Sequence, residues 1–198
     1  MAKQEHVSEE RWRMFCAIEL PQEIRARAAA HIALLRSAVP DARASWDRAE
    51  KLHITTKFLG EIEVSRVQAL SEAAGRAARE ASPFDLTLEG AGVFPPRGLP
   101  KVLWLGITDA AGALAFLQLS LEETCAAAGF AREARPFHPH LTIARLRSTQ
   151  GARRLAERHK EMGFQAAGFA VADLVVIRSE LGPAGSRYTV VSRHRLGQ

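Results

Sequence analysis

LHITTKFLGEI (residues 52–62) and FHPHLTIARLR (residues 137–147) decide the reading of this chain, because one short pattern, histidine–apolar–threonine, occurs in both. The copies are His53-Ile54-Thr55 and His140-Leu141-Thr142, each in a run rich enough in β-branched residues to favour a strand. Alternate residues of a strand share a face, so each motif presents an imidazole and a hydroxyl roughly 6.5 Å apart on one side. Ile54 and Leu141 then face the core. A threonine hydroxyl can donate to a phosphate oxygen, and a histidine titrating near neutrality can move a proton at a reacting oxygen. A lone histidine in a strand is more often a half-buried, satisfied side chain than a catalyst. Two equivalent copies alter that balance, since in-line displacement at phosphorus needs a base on the attacking oxygen and an acid on the leaving one.

Working outward, residues 13–20 (RMFCAIEL) read as a strand, and Pro21 suits the first turn of a helix carrying Ile24, Ala28, Ile32 and Leu35. Residues 44–46 and 52–59 favour strand. Ser65 with Gln68 has the form of a capping box, opening an Ala-rich helix to about Glu80. Residues 84–88 and 102–107 are strand-like and are separated by GAGVFPPRGLPK, predicted as a long irregular loop. Residues 110–128 form a helix closed by Gly129, residues 137–144 a strand, and residues 149–162 a helix. Two last strands, residues 174–179 and 188–192, are joined around Gly182-Pro183-Ala184-Gly185. This order is of the α+β class. No Pro/Ser-rich linker divides it, so residues 1–198 are expected to form one domain, with residues 1–12 as a flexible polar lead.

A chain of 198 residues with 47% hydrophobic and 25% charged residues can bury an ordinary core. Its first dozen residues resemble neither a signal peptide nor a transit sequence, and no apolar run reaches membrane-spanning length, so a cytoplasmic protein is expected. Cys16 and Cys125 lack both disulfide-framework and zinc-ligand spacing and read as reduced core thiols. The net charge of +5, with a pI near 9.8, is compatible with a polyanionic partner but is weak evidence for one, and taken alone it is better accounted for by a solvated, Arg-rich surface.

The two motifs resemble those of the 2H phosphoesterases, and within them the bacterial RNA 2′,3′-cyclic phosphodiesterases once described as 2′-5′ RNA ligases. MFCAIELP near the N-terminus, Trp46 ahead of the first motif and VFPPRGLPKVLWLGI support the likeness, which covers nearly the whole chain. The resemblance implies a bilobal α+β fold, two pseudo-symmetric antiparallel-sheet lobes with outer helices around a central cleft. It implies metal-free chemistry with no cofactor on RNA bearing 2′,3′-cyclic phosphate ends, or on cyclic nucleotides. By motif, His53 is the proton donor to the leaving 3′ oxygen and His140 the acceptor that activates water, giving a 2′-phosphate and, in reverse, a 2′-5′ linkage. Thr55 and Thr142 hold phosphate oxygens, and Arg145 matches an arginine that often follows the second motif. Strict alternation from His140 points Arg145 to the opposite face, so it contributes only if the strand twists or ends there. Thr56 stands where an aliphatic residue is common in the family and is expected to face away from the cleft.

Lys57 shares the parity of His53 and Thr55 and is a candidate for the cleft or for solvent. His138, two residues before His140, raises a metal pair, but neither a carboxylate nor a third histidine lies nearby in sequence. Phe94, beside Pro95-Pro96, is the best candidate to stack on a base, ahead of Trp46 and Trp104. His6, His31, His159 and His194 call for no function. Two rival readings remain, a non-catalytic RNA-end or nucleotide-binding module in the same cleft and a metal-dependent hydrolase on His138 and His140. No membrane and no obligatory protein partner are expected, and a monomer suffices.

Overall fold

Strands and helices alternate as the periodicities require in the computed structural model, which describes residues 10–183 and 185–198. The strands are β1 (Arg11–Glu19), β2 (Ala44–Trp46), β3 (His53–Glu63), β4 (Phe84–Phe94), β5 (Val102–Thr108), β6 (His140–Leu146), β7 (Ala167–Val171), β8 (Asp173–Gly182) and β9 (Gly185–Arg195). The α-helices are α1 (Gln22–Ala38), α2 (Val67–Glu80), α3 (Ala113–Ala127) and α4 (Ala152–Met162). Pro21 stands at the start of α1, and Ile24, Ala28, Ile32 and Leu35 are buried along its inner face, as their spacing demands.

Several boundaries differ from the sequence reading, each for a local reason. β1 begins at Arg11, so Arg11 and Trp12 are strand rather than flexible lead; residues 1–9 of that lead, and Ala184 of the last turn, lie outside the described residues. No Ser65–Gln68 capping box forms: residues 64–66 make one 3₁₀ turn, α2 starts at Val67, and the Gln68 amide donates to Glu72. β4 continues through Gly90 to Phe94, which shrinks the predicted loop to residues 95–101. Gly90, at φ 70°, absorbs a bulge instead of ending the strand. Gly92 is crossed by the Trp104 indole, which lies 2.1 Å from where a Cβ would be. β7, a five-residue edge strand containing Gly168, carries too short a pattern to stand out in sequence.

The strands lie in the order β7-β4-β5-β6-β3-β1-β8-β9, with β2 added beside β6. β6 and β3 meet through one antiparallel pair, Ile54 with Leu141, so the sheet is two four-stranded halves joined at a point. A pseudo-two-fold relates them, matching β3 to β6, β1 to β5, β8 to β4 and β9 to β7. α2 and α3 pack together on the β3 half, while α1 packs on α4, which lies against β4. The helix after β1 thus serves the far half, as does the helix after β5. Neither half is contiguous in the chain.

Burial is mostly apolar, and several of the polar groups within it are paired. His31 and His159 bond each other at 3.1 Å between α1 and α4, and His159 Nε2 donates to the Trp104 carbonyl at 3.0 Å. Cys16 and Cys125 are free and fully buried, and burial pushes both thiols up, Cys125 to about 11. Lys57 is not in the cleft: its buried ammonium donates to Glu122 at 2.6 Å and to the Ala131 carbonyl at 3.0 Å. Glu122 also accepts from the Glu133 backbone N–H, so the pair ties β3 and α3 to the loop that leads into β6.

Removing one member of a buried ion pair strands the other charge, at a cost of about 3–5 kcal/mol, whereas apolar replacement of both is often neutral. Lys57→Met should therefore lower the urea midpoint sharply, and Lys57→Met/Glu122→Leu should recover most of the loss. A double variant no more stable than the single one would refute this account.

Candidate active site

His53 and His140 open strands that meet where Ile54 pairs with Leu141, so the residues flanking that pair converge from both halves. Continuing the antiparallel register by one residue sets His53 against Thr142 and His140 against Thr55. The two histidines are then diagonal neighbours, a spacing of roughly 7–8 Å in a sheet. All four side chains are partly exposed, while Ile54 and Leu141 are buried, as alternation requires.

The ring orientations are set in the same way in both halves. His53 Nδ1 donates to the Lys51 carbonyl at 2.7 Å, and His140 Nδ1 to the His138 carbonyl at 2.7 Å. A carbonyl only accepts, so the neutral tautomer carries its proton on Nδ1, and Nε2 of each ring is left unprotonated and able to accept a proton. His138 therefore contributes its backbone oxygen to this geometry.

Aromatic rings frame each imidazole. Phe15 and Tyr188 lie 4.8 Å and 5.3 Å from the His53 ring, Phe94 and Trp104 lie 5.1 Å and 6.3 Å from the His140 ring, and Phe94 also packs on Trp104 at 5.2 Å. Phe94 is thus an edge-on neighbour of a histidine, partly committed to that packing. Trp46 stands apart, on β2.

The parity of Arg145 is decided by a bulge. Trp104 pairs with Thr142 but Leu103 pairs with Ala144, so Ile143 is an extra residue in β6. Ile143 and Ala144 are both buried, and Arg145 emerges on the face of His140 and Thr142. β3 has the matching bulge: Ala17 pairs with Thr55 but Cys16 with Lys57, leaving Thr56 extra. The first seven residues of β3 and all seven of β6 accordingly share one pattern of burial. The bulge buries Lys57 and brings Phe58, half exposed, to the position that Arg145 occupies in the other half. Thr56 faces inward as expected, but among the described residues its buried hydroxyl has no hydrogen-bond partner.

Burial holds both imidazoles below their ordinary value, the bonds from Nδ1 pull them back up, and the positive charge of Arg145 lowers each of them. The same guanidinium opposes the upward push of burial on Asp47 and Tyr188. Asp47, Tyr188 and Phe15 belong to this surround and were not legible in sequence. Asp47 follows β2, its backbone N–H donating to the Ile143 carbonyl at the bulge, and Tyr188 comes from β9, beyond β1 and β8. The only available signal was that Tyr188 is the sole tyrosine.

Fold and site define a protein of the two-histidine phosphoesterase class. A family model of the 2′-5′ RNA ligase superfamily matches residues 5–183, and the chain belongs to that family. It is 32% identical over 185 residues to the RNA 2′,3′-cyclic phosphodiesterase of Methanothermobacter thermautotrophicus, covering 93% of this chain and 98% of that one. To the Escherichia coli K12 protein of the same name it is 33% identical over 186 residues, with 94% and 97% covered. The crystal structure of E. coli LigT complexed with 3′-AMP superposes with a TM-score of 0.73 at 31% identity, covering 96% of this chain and all of that one. The crystal structure of TT0787 from Thermus thermophilus gives 0.75 at 26% identity, with 93% and 98% covered.

Two outcomes follow from this geometry. Nitrogen NMR of the free protein should find both rings as the Nδ1–H tautomer at neutral pH and titrating below the ordinary 6.5 of histidine. Arg145→Ala removes a charge that lowers both and should raise both midpoints; a shift in neither would place Arg145 outside the site. Thr56→Val replaces an unsatisfied buried hydroxyl by an isosteric methyl and should raise stability by about 1 kcal/mol in chemical denaturation. A loss of stability would mean that the hydroxyl has a partner.

Proposed function

We propose that this chain is an RNA 2′,3′-cyclic phosphodiesterase that opens a cyclic end to a 2′-phosphate by two-histidine acid–base catalysis. The observation that carries the reading is the paired presentation of two imidazoles across one sheet junction, each with Nδ1 bonded to a carbonyl and Nε2 left for proton transfer. The names of the relatives, which span nearly the whole chain, support the substrate class.

In this reading His140 Nε2 takes a proton from water as the water oxygen bonds to phosphorus. The bond from phosphorus to O3′ breaks, and His53, which the negative charge of the bound phosphate favours as the imidazolium, delivers its Nε2 proton to O3′. One water is consumed and one P–O bond is exchanged for another, leaving His140 protonated and His53 neutral until solvent resets them. Thr55 and Thr142 donate to the non-bridging oxygens, and Arg145 balances the charge that builds on them. The cradle in which His53 lies against Thr142, and His140 against Thr55, contacts the phosphate from both halves. Phe94 offers its free edge to the terminal base. Base, acid and countercharge all come from side chains, so no cofactor takes part. With a 5′-hydroxyl in place of water as the nucleophile, the same displacement breaks the P–O3′ bond and joins ends through a 2′-5′ linkage.

The assignment of acid and base rests on the family resemblance, because the two motifs are alike. Among the described residues no helix is long and apolar enough to cross a membrane, and no cluster of three or more His, Cys, Asp or Glu is placed to hold a metal. We take the protein to act in the cytoplasm as a monomer, its interleaved halves forming one domain. A binding module would need no matched acid and base.

EDTA-treated protein should convert an oligoribonucleotide ending in a 2′,3′-cyclic phosphate to the 2′-phosphate, resolved by chromatography against both phosphate isomers. His53→Ala and His140→Ala should each lose roughly 10²- to 10⁴-fold in rate with the fold intact. Wild-type turnover in either variant would sink the mechanism; binding without turnover in the unmutated protein would support the module instead.

A further inference from the structure

On the face that carries His140, Thr142 and Arg145, the chain runs on to a second arginine. Arg147 follows β6 by one residue and keeps the same parity beyond the bulge, so it lies one strand step, roughly 6.6 Å, past Arg145. Its backbone N–H donates to the Arg43 carbonyl at 2.8 Å, which extends the β2–β6 pairing and brings Arg43 opposite it. Ser45, on the same parity as Arg43, pairs with Arg145 and accepts from Arg147 Nε at 3.0 Å. That bond lays the Arg147 guanidinium along the exposed face and leaves its two terminal nitrogens for a ligand.

Arg43, Arg145 and Arg147 are all exposed, and among the described residues none forms an ion pair with a carboxylate. Arg154, a short way along the chain, does have such a partner in Asp41. Three like charges on adjoining strands raise one another's energy unless an anion lies between them. Past Arg147 the surface opens into a pocket of about 410 Å³ lined by Leu99, Thr149, Gly151, Arg153 and Arg154.

We propose that Arg147 and Arg43 form a second phosphate subsite, which holds the phosphate on the 5′ side of the terminal nucleotide. The inference rests on the phosphodiesterase reading and deepens it. With the reacting phosphate held between the histidines beside Arg145, the next anion of the substrate is the phosphodiester one nucleotide upstream, and the next cations along this face are these two. Arg147 can grip a phosphate with two parallel N–H donors, and the pocket beyond gives the preceding nucleoside somewhere to lie. The preferred substrate is thus an oligoribonucleotide with a cyclic end rather than a cyclic mononucleotide, which has no phosphate to place there.

The test compares kcat/KM for a short oligoribonucleotide ending in a 2′,3′-cyclic phosphate with that for 2′,3′-cyclic AMP. The unmutated protein should prefer the oligonucleotide. Arg43→Ala/Arg147→Ala should lose about ten-fold or more on the oligonucleotide and nothing on cyclic AMP. The dependence of the oligonucleotide reaction on salt should become shallower by about 0.7 in the log–log slope for each arginine removed. Unchanged cyclic AMP turnover reports that the double variant is folded, and Arg147→Gln, which keeps a donor for Ser45, repeats the comparison with less perturbation. Equal turnover of both substrates by the unmutated protein, or equal losses on both in a folded Arg147→Gln, would overturn the subsite while leaving the phosphodiesterase reading intact. Hydrolysis of neither substrate by the unmutated protein would overturn both.

Discussion

Everything at the centre of this molecule depends on one pair of residues, Ile54 against Leu141, through which β3 and β6 touch. Both are fully buried, and each stands between a histidine and a threonine. A longer ladder would close the space between the halves, and no ladder would leave the motifs with no fixed relation. A single antiparallel pair keeps the two imidazoles a diagonal step apart. The apolar residue in the middle of each motif is therefore the hinge point that turns two separate patterns into one cleft.

The pseudo-symmetry is carried down to individual bulges. Thr56 and Ile143 are extra residues at matching places in β3 and β6, and each resets the alternation immediately after the threonine of its motif. Because the bulges match, the corresponding positions of the two motif strands differ only in what the residues are. Phe58 stands where the other half has Arg145, and Lys57, buried against Glu122, where it has Ala144. At the matched position next to each bulge, the β6 half thus presents a cation and the β3 half an aromatic ring. Two near-equivalent histidines therefore share an asymmetric surround.

Interleaving explains how so narrow a junction is held. α1 and α3 each cross from the strand before them to the opposite half, and Lys57, just past the first motif, bonds both α3 and the loop leading into the second. The aromatic frames repeat the theme, since Tyr188 reaches His53 from the last strand and Trp104 reaches His140 across a glycine that leaves room for its indole. Each imidazole is fixed by its own backbone two residues back and by rings from neighbouring strands.

The sequence by itself determined the two motif strands, the four helices, the α+β class and the inward turn of Ile54 and Leu141, because hydrophobic period and β-branching are local properties. The pairing of His53 and His140 was legible for a different reason: the motif repeats, and a repeat needs no knowledge of contacts. What only the tertiary structure decided lies where alternation fails or distant strands meet. Arg145 faces the histidines and Lys57 does not, and both outcomes turn on bulges that exist only relative to a partner strand. β4 continues past Gly90 because β5 is there to pair with it, whatever its glycines suggest in isolation. Asp47, Phe15 and Tyr188 reach the site from β2, β1 and β9 by packing across the sheet, which no spacing along the chain records.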